Sequence, residues 1–126
     1  MSALFTKAQQ EQLLDNGRRQ AAVKGTPDEI DFPPVVKLFN PVGAGTWLLT
    51  EIDPEDETVV WGLCDLGMGF PEFGTVSLIE LADYRGRLGL GIERDLHFEA
   101  RGPISAYIVA ANKAGCISED IGLLES

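Results

Sequence analysis

A chain of 126 residues that is 44% hydrophobic and 24% charged can bury a core as one domain without metal or disulfide support, and is too apolar for wholesale disorder. Its net charge of −10 repels a phosphate backbone at long range, which sets aside direct nucleic-acid binding. No apolar run approaches the roughly 18 residues that span a bilayer, and the opening MSALFTKAQQEQ lacks the basic flank and apolar stretch of a signal peptide, so a cytoplasmic protein away from membranes is expected.

Thr6 followed by Gln9 is a capping-box pattern, and it predicts a helix over 7–22 within an N-terminal segment 1–25. Its apolar content is thin, Ala8, Leu13, Leu14, Ala21 and Ala22, and Gly17 weakens its middle by about 1 kcal/mol relative to alanine. Such a helix lies on the surface, docked by one narrow stripe. Arg18, Arg19 and Lys24 fall near the negative end of its dipole, which accounts for them without a ligand. Residues 26–34 hold three prolines and form a connection that is neither helix nor central strand.

VVKLFN reads as a short strand and GTWLLTEID as a second, with Trp47, Leu49 and Glu51 expected on one face and Leu48, Thr50 and Ile52 on the other. DPEDET is a solvated turn. TVVWGLCDL returns as a third strand, Val59, Trp61 and Leu63 opposite Val60, Gly62, Cys64 and Leu66. Residues 46–66 thus predict a hairpin apolar on both faces, hence central in the sheet. After the glycine-punctuated CDLGMGFPEFG, a short strand around Thr75 and Val76 leads into a helix over 78–84, capped by Ser77 with Glu80, with Gly86 just past its end. Alternation over 92–98 predicts another strand, and a last helix over 104–114 opens after Pro103 and closes at Gly115. The expected fold is α+β: an antiparallel sheet of about four to five strands with an N-terminal helix, a short middle helix and a C-terminal helix, the helices mainly on one face. One domain covers 1–126, with a core over 35–116 and an acidic tail over 117–126.

No hydrolase or nucleotide-triphosphatase signature is present: there is one histidine, His97, no Gly-x-Ser-x-Gly, and no Gly-rich loop ending in Lys and Ser or Thr. Cys64 and Cys116 stand in apolar surroundings and in no metal-ligand spacing, and read as buried free thiols. On a strand, Glu93, Asp95, His97 and Glu99 would project from one face roughly 7 Å apart, close enough to converge on a divalent ion; a solvated sheet face is the alternative. DPEDE lacks the twelve-residue spacing, central glycine and terminal glutamate of a calcium loop. The glycine loop is no phosphate cradle either, since Asp65 and Glu72 oppose an anion and the next helix begins only at Leu78. Its Met68, Phe70 and Phe73 either fold back to seal the core or are displayed to a partner.

The strings TWLLTEIDPEDETVVWGLCDLGMGFPEFGTVSLIEL, RGRLGLGIERDLHF and PISAYIVAANKAG resemble a bacterial family catalogued as domain of unknown function 2958, over about residues 35–116. Members of that family tend to be encoded on plasmids and integrative elements, near anti-restriction and conjugation functions, and the resemblance assigns no catalytic residue. It implies a non-catalytic interaction protein of a mobile element, whose partner is a protein, including a nucleic-acid-binding defence protein (restriction or CRISPR-type) that an acidic face would inhibit as a DNA mimic. Residues 26–84 hold twelve carboxylates and one lysine, which suits that role. The partner-contact residues expected are Asp53, Glu55, Asp56, Glu57, Met68, Phe70, Glu72 and Phe73. The competing expectations are a metal-binding protein or metal-dependent enzyme centred on Glu93, Asp95 and His97, with no cofactor otherwise, and a small scaffold, monomer or homodimer.

Overall fold

Capping and alternation set out most of the elements. In chain order they are α1 (Lys7–Ala21), β1 (Val36–Phe39), β2 (Thr46–Ile52), β3 (Val59–Asp65), β4 (Glu72–Ser77), α2 (Leu78–Asp83), β5 (Glu93–Arg94) and α3 (Ile104–Ala114), in a computed structural model that describes residues 4–122. The predicted capping box is present at α1: Gln9 N–H donates to Thr6 Oγ1 at 3.0 Å and Thr6 N–H to Gln9 Oε1 at 2.9 Å. Gly115 closes α3 in the left-handed conformation at φ 77°. At α2 only Ser77 caps, accepting from Glu80 N–H at 3.2 Å. Gly86, at φ −92°, has no left-handed role after it.

The sheet is antiparallel throughout, in the order β4-β3-β2-β1-β5. One face packs Val36, Leu38, Trp47, Leu49, Ile52 and Val60 against Leu13 of α1 and Leu81 of α2. The other packs Leu48 and Leu63 against Ile104, Tyr107 and Ala111 of α3, so the class expected from the sequence stands, with α3 alone on the second face. The connection 26–34 positions α3: Phe32 is buried, and its carbonyl accepts Ile104 N–H at 2.7 Å. Ile117 and Ile121, within the segment read as an acidic tail, pack on the α3 side; residues 123–126 of that tail lie outside the described residues.

Three local expectations are corrected. First, β2 carries a bulge: Leu49 pairs with Gly62 and Glu51 with Trp61, leaving Thr50 as the extra residue. One inserted residue inverts the parity of everything after it, so Ile52 joins Trp47 and Leu49 in one core cluster, and Glu51 goes to the opposite face. Second, the strand expected over 92–98 is only two residues long, because Asp95 Oδ1 accepts His97 N–H at 2.9 Å and folds the chain into an Asx turn. Third, β4 is six residues long rather than a short stretch at Thr75 and Val76, and begins within the glycine-punctuated run.

The docking of α1 explains a residue that propensity alone marks as weak. The β1 pairing ends at Val36 with Leu49, and beyond it α1 takes the edge of β2. Asn16 Nδ2 donates to Thr50 O at 2.9 Å, and a Cβ on Gly17 would lie 1.8 Å from the Ile52 carbonyl oxygen. Gln20 exchanges two hydrogen bonds with the Ile30 backbone, at 2.8 and 2.9 Å. The buried stripe is Leu13, Asn16, Gly17 and Gln20, spaced as one helix face, with a single large apolar side chain among the four.

Candidate protein-contact surface

Between β3 and β4 the chain turns through Gly67 and Gly69, both left-handed at φ 81° and 83°, a conformation that glycine adopts without strain. Asp65, only 7% exposed, fastens this tip. Its Oδ1 accepts Gly67 N–H and its Oδ2 accepts Ile117 N–H, each at 2.8 Å. Gly67 also lies so close to the 41–45 loop that a Cβ there would stand 2.5 Å from Ala44 Cβ. The carboxylate that argued against a phosphate is thus a structural clamp joining the end of β3 to the segment after α3.

On this anchored tip the large apolar side chains face solvent: Leu66 is 55% exposed, Met68 69% and Phe70 81%. Phe73 is intermediate in role. It stacks on Trp61 with ring centroids 6.1 Å apart and still leaves 40% of its surface exposed. Of the two readings of the loop, core sealing holds for neither Met68 nor Phe70.

Four of the five acidic residues expected as partner contacts lie elsewhere. Asp53, Glu55, Asp56 and Glu57 form the β2–β3 turn, at the other end of a seven-residue strand, about 20 Å from the tip. There Asp53 Oδ1 accepts Glu55 N–H at 2.8 Å, and Asp56 Oδ1 accepts Thr58 N–H at 3.0 Å and the Thr58 hydroxyl at 2.6 Å. The Thr58 hydroxyl, and then its N–H, hold Asp56 below the usual carboxylate range. Of the predicted contact residues, Met68 and Phe70 stand on the tip, and Glu72 and Phe73 lie beside it at the start of β4.

Glu93, Asp95 and His97 do not line one strand face. Glu93 and His97 are exposed, and Asp95 Oδ2 stands 3.7 Å from Lys37 Nζ, which also pairs with Glu119. Among the described residues no three of His, Cys, Asp and Glu stand close enough to hold a metal ion. Cys64 and Cys116 are free, Cys64 half-buried and Cys116 exposed rather than buried. Burial, and then the nearby Glu72, push the Cys64 thiol up to about 11, which leaves it inert near neutral pH.

One group that sequence reasoning did not single out is Glu51, 5% exposed. The Thr50 bulge turns it into a cleft of about 220 Å³ lined by Gln20, Lys24, Asp53 and Trp61, where Lys24 Nζ stands 3.7 Å above the Trp61 ring. Burial pushes its carboxyl up, opposed by Lys24 and by hydrogen bonds from Thr50 and Gln20. The available signal was a lone carboxylate in the otherwise apolar run TWLLTEI.

A family model described as "Protein of unknown function (DUF2958)" matches residues 4–118. The chain belongs to that family. The match takes in α1 and the connection, which the resemblance read from the sequence had left out. Comparisons with curated proteins and with solved structures return no match. No helix among the described residues is long and apolar enough to cross a membrane.

Proposed function

We propose that this member of the family acts by binding another protein, and that the 66–70 tip is its point of attachment. The observation that carries the reading is Phe70, 81% exposed at the crest of a turn held by a buried carboxylate. A large aromatic displayed on a rigid support needs little ordering on binding, which is how interface anchors concentrate affinity. The test is capture of the partner from the cells that make the protein, comparing the parent chain with Phe70→Ser and Met68→Ser. A partner retained by the parent and lost by both variants is expected; equal recovery by all three overturns the tip as the contact site.

The partner class suggested by the family resemblance, a nucleic-acid-binding defence protein of the host, belongs to the same reading. It is supported by the exposed Glu55, Asp56 and Glu57 at the far end of β3, which would face a basic groove. Competition between this protein and DNA for such a partner, weakening as salt rises, is the expected behaviour. Binding indifferent to DNA would remove the mimicry.

A further inference from the structure

The strand that follows the tip is an edge of the sheet. β4 ends the sheet on its side, and its hydrogen-bond phase is fixed: Leu78 N–H donates to Thr58 O at 2.8 Å, while Val59 lies opposite Ser77. Residues 58 and 78 are therefore a hydrogen-bonded pair, and pairing alternates along an antiparallel ladder. Glu72, Gly74 and Val76 bond to β3. Phe73, Thr75 and Ser77 turn their N–H groups outward, and among the described residues no strand lies beyond them. Pro71, next in the outward series, has no N–H, and α2 begins at Leu78, so the template is bounded at both ends.

The two edges of the sheet differ in their protection. β5 is two residues long and both are charged, the usual way of blunting an edge. β4 pairs with β3 over its full length without a register shift, and its only charged residue, Glu72, directs its backbone inward. Nothing in EFGTVS discourages another strand. Residues 58–84 hold four carboxylates, Asp65, Glu72, Glu80 and Asp83, and no lysine or arginine. A second copy would bring the same sign to the seam, whereas a basic segment is complementary.

We propose that the partner docks through an extended, basic segment that adds to β4 as a sixth strand, a deepening that rests on the protein-interaction reading above. The faces of β4 set its pattern. Side chains on the Phe73 side meet the Trp61–Phe73 stack and Thr75 and are apolar or β-branched; those on the Glu72 side are lysine or arginine. Main-chain bonds to Phe73 and Thr75 supply the affinity and the alternate side chains the selectivity.

The probe is a heptapeptide alternating valine and lysine, added to the full chain while backbone amide exchange is followed by NMR. Slowed exchange at Phe73, Thr75 and Ser77 is expected, by about tenfold or more at saturation, with binding that weakens as salt rises. N-methylation of alternate peptide residues should weaken binding by about tenfold, the scale of one net hydrogen bond. Thr75→Pro, which removes an outward N–H that β3 does not use, should abolish the protection; the methylated peptide keeps the test decisive if that variant does not fold. Absence of binding, binding without protection of these amides, or equal binding of the methylated peptide overturns the proposal. Protection that grows with protein concentration in the absence of peptide overturns it in favour of a second copy. A partner captured through Phe70 while the β4 amides exchange freely would retain the interaction reading and remove this one.

Discussion

The two ends of β3 solve the same problem, a tight antiparallel connection, with opposite chemistry. At the acidic end, Asp53 and Asp56 spend their carboxylates on the backbone of their own turn, and no large apolar side chain is shown. At the other end the carboxylate is buried: Asp65 reaches across to Ile117, and the apolar residues are exposed. A solvated turn needs no external support, whereas a turn that displays phenylalanine and methionine must be held by something other than their burial. The apolar tip therefore depends on distant parts of the chain, and the acidic turn depends mainly on itself and on α1.

The sharpest way to break that comparison is Asp65→Ala. It strips a charged acceptor from two backbone N–H groups, and loss of about 3 kcal/mol is expected, a fall in melting midpoint of roughly 10 °C. Amide exchange should quicken at Gly67 and Ile117 together, although they are far apart in sequence, while the 53–58 turn is unchanged. Melting and exchange measurements check both parts, and acceleration confined to Gly67 would mean that the clamp is local.

Gly17→Ala attacks the other end. The added Cβ would stand 1.8 Å from the Ile52 carbonyl, so α1 must withdraw from β2. The helix gains propensity, yet a net loss of about 2 kcal/mol is expected because Asn16 and Gln20 lose their backbone partners with it. Thermal denaturation checks the loss, and the Lys24–Trp61 contact should open, shifting Trp61 fluorescence, while labelling of Cys116 near the tip keeps its rate.

These two sites show where the sequence was legible. Helix ends written in local chemistry, Thr6 with Gln9 and Gly115 after α3, were legible, as was the central hairpin from apolar residues on both its faces. The docking stripe of α1 was hidden because Asn16, Gly17 and Gln20 bury by meeting backbone rather than by being apolar, and no periodicity of hydrophobic residues can reveal that. The Thr50 bulge is equally silent, since a single extra residue leaves an alternating pattern intact on either side of it and only the partner strand exposes the shift. β4 was hidden by Pro71 and Gly74, which read as loop punctuation although one precedes the strand and the other faces inward. The strand expected over 92–98 stops at Asp95, whose side chain takes the His97 N–H and so competes with the ladder for the backbone.

The acidic end also contains two carboxylates that titrate with opposite effect. Asp56 is held below its usual value, so its contribution is present above about pH 4, the unfolded range, and is lost as pH falls through the lower folded value. Glu51 is pushed up, so the unfolded chain releases that proton first, and stability is lost as pH rises from about 4 through the folded value. Glu51→Gln removes the second effect. It should raise the melting midpoint at pH 7 and leave it nearly unchanged at pH 3, whereas Asp56→Asn should lower it slightly at pH 7. A Glu51→Gln midpoint that falls at pH 7 would assign the carboxylate a stabilising pairing with Lys24 that outweighs its burial.

Phe70→Ser is the smallest change in stability and the most informative about the tip. An 81% exposed side chain contributes little to folding, so the midpoint should stay within about 0.5 kcal/mol of the parent in free-energy terms. The left-handed Gly67 and Gly69 and the Asp65 clamp, which shape the turn, are untouched by it, and amide exchange there should be unaltered. If stability instead drops by more than about 1 kcal/mol, Phe70 is packed in solution and the tip is sealed rather than displayed. Stability and partner capture thus separate at this residue: a support that persists without its apolar crest is what a contact site requires, and a support that collapses with it would make the exposed aromatic part of the fold.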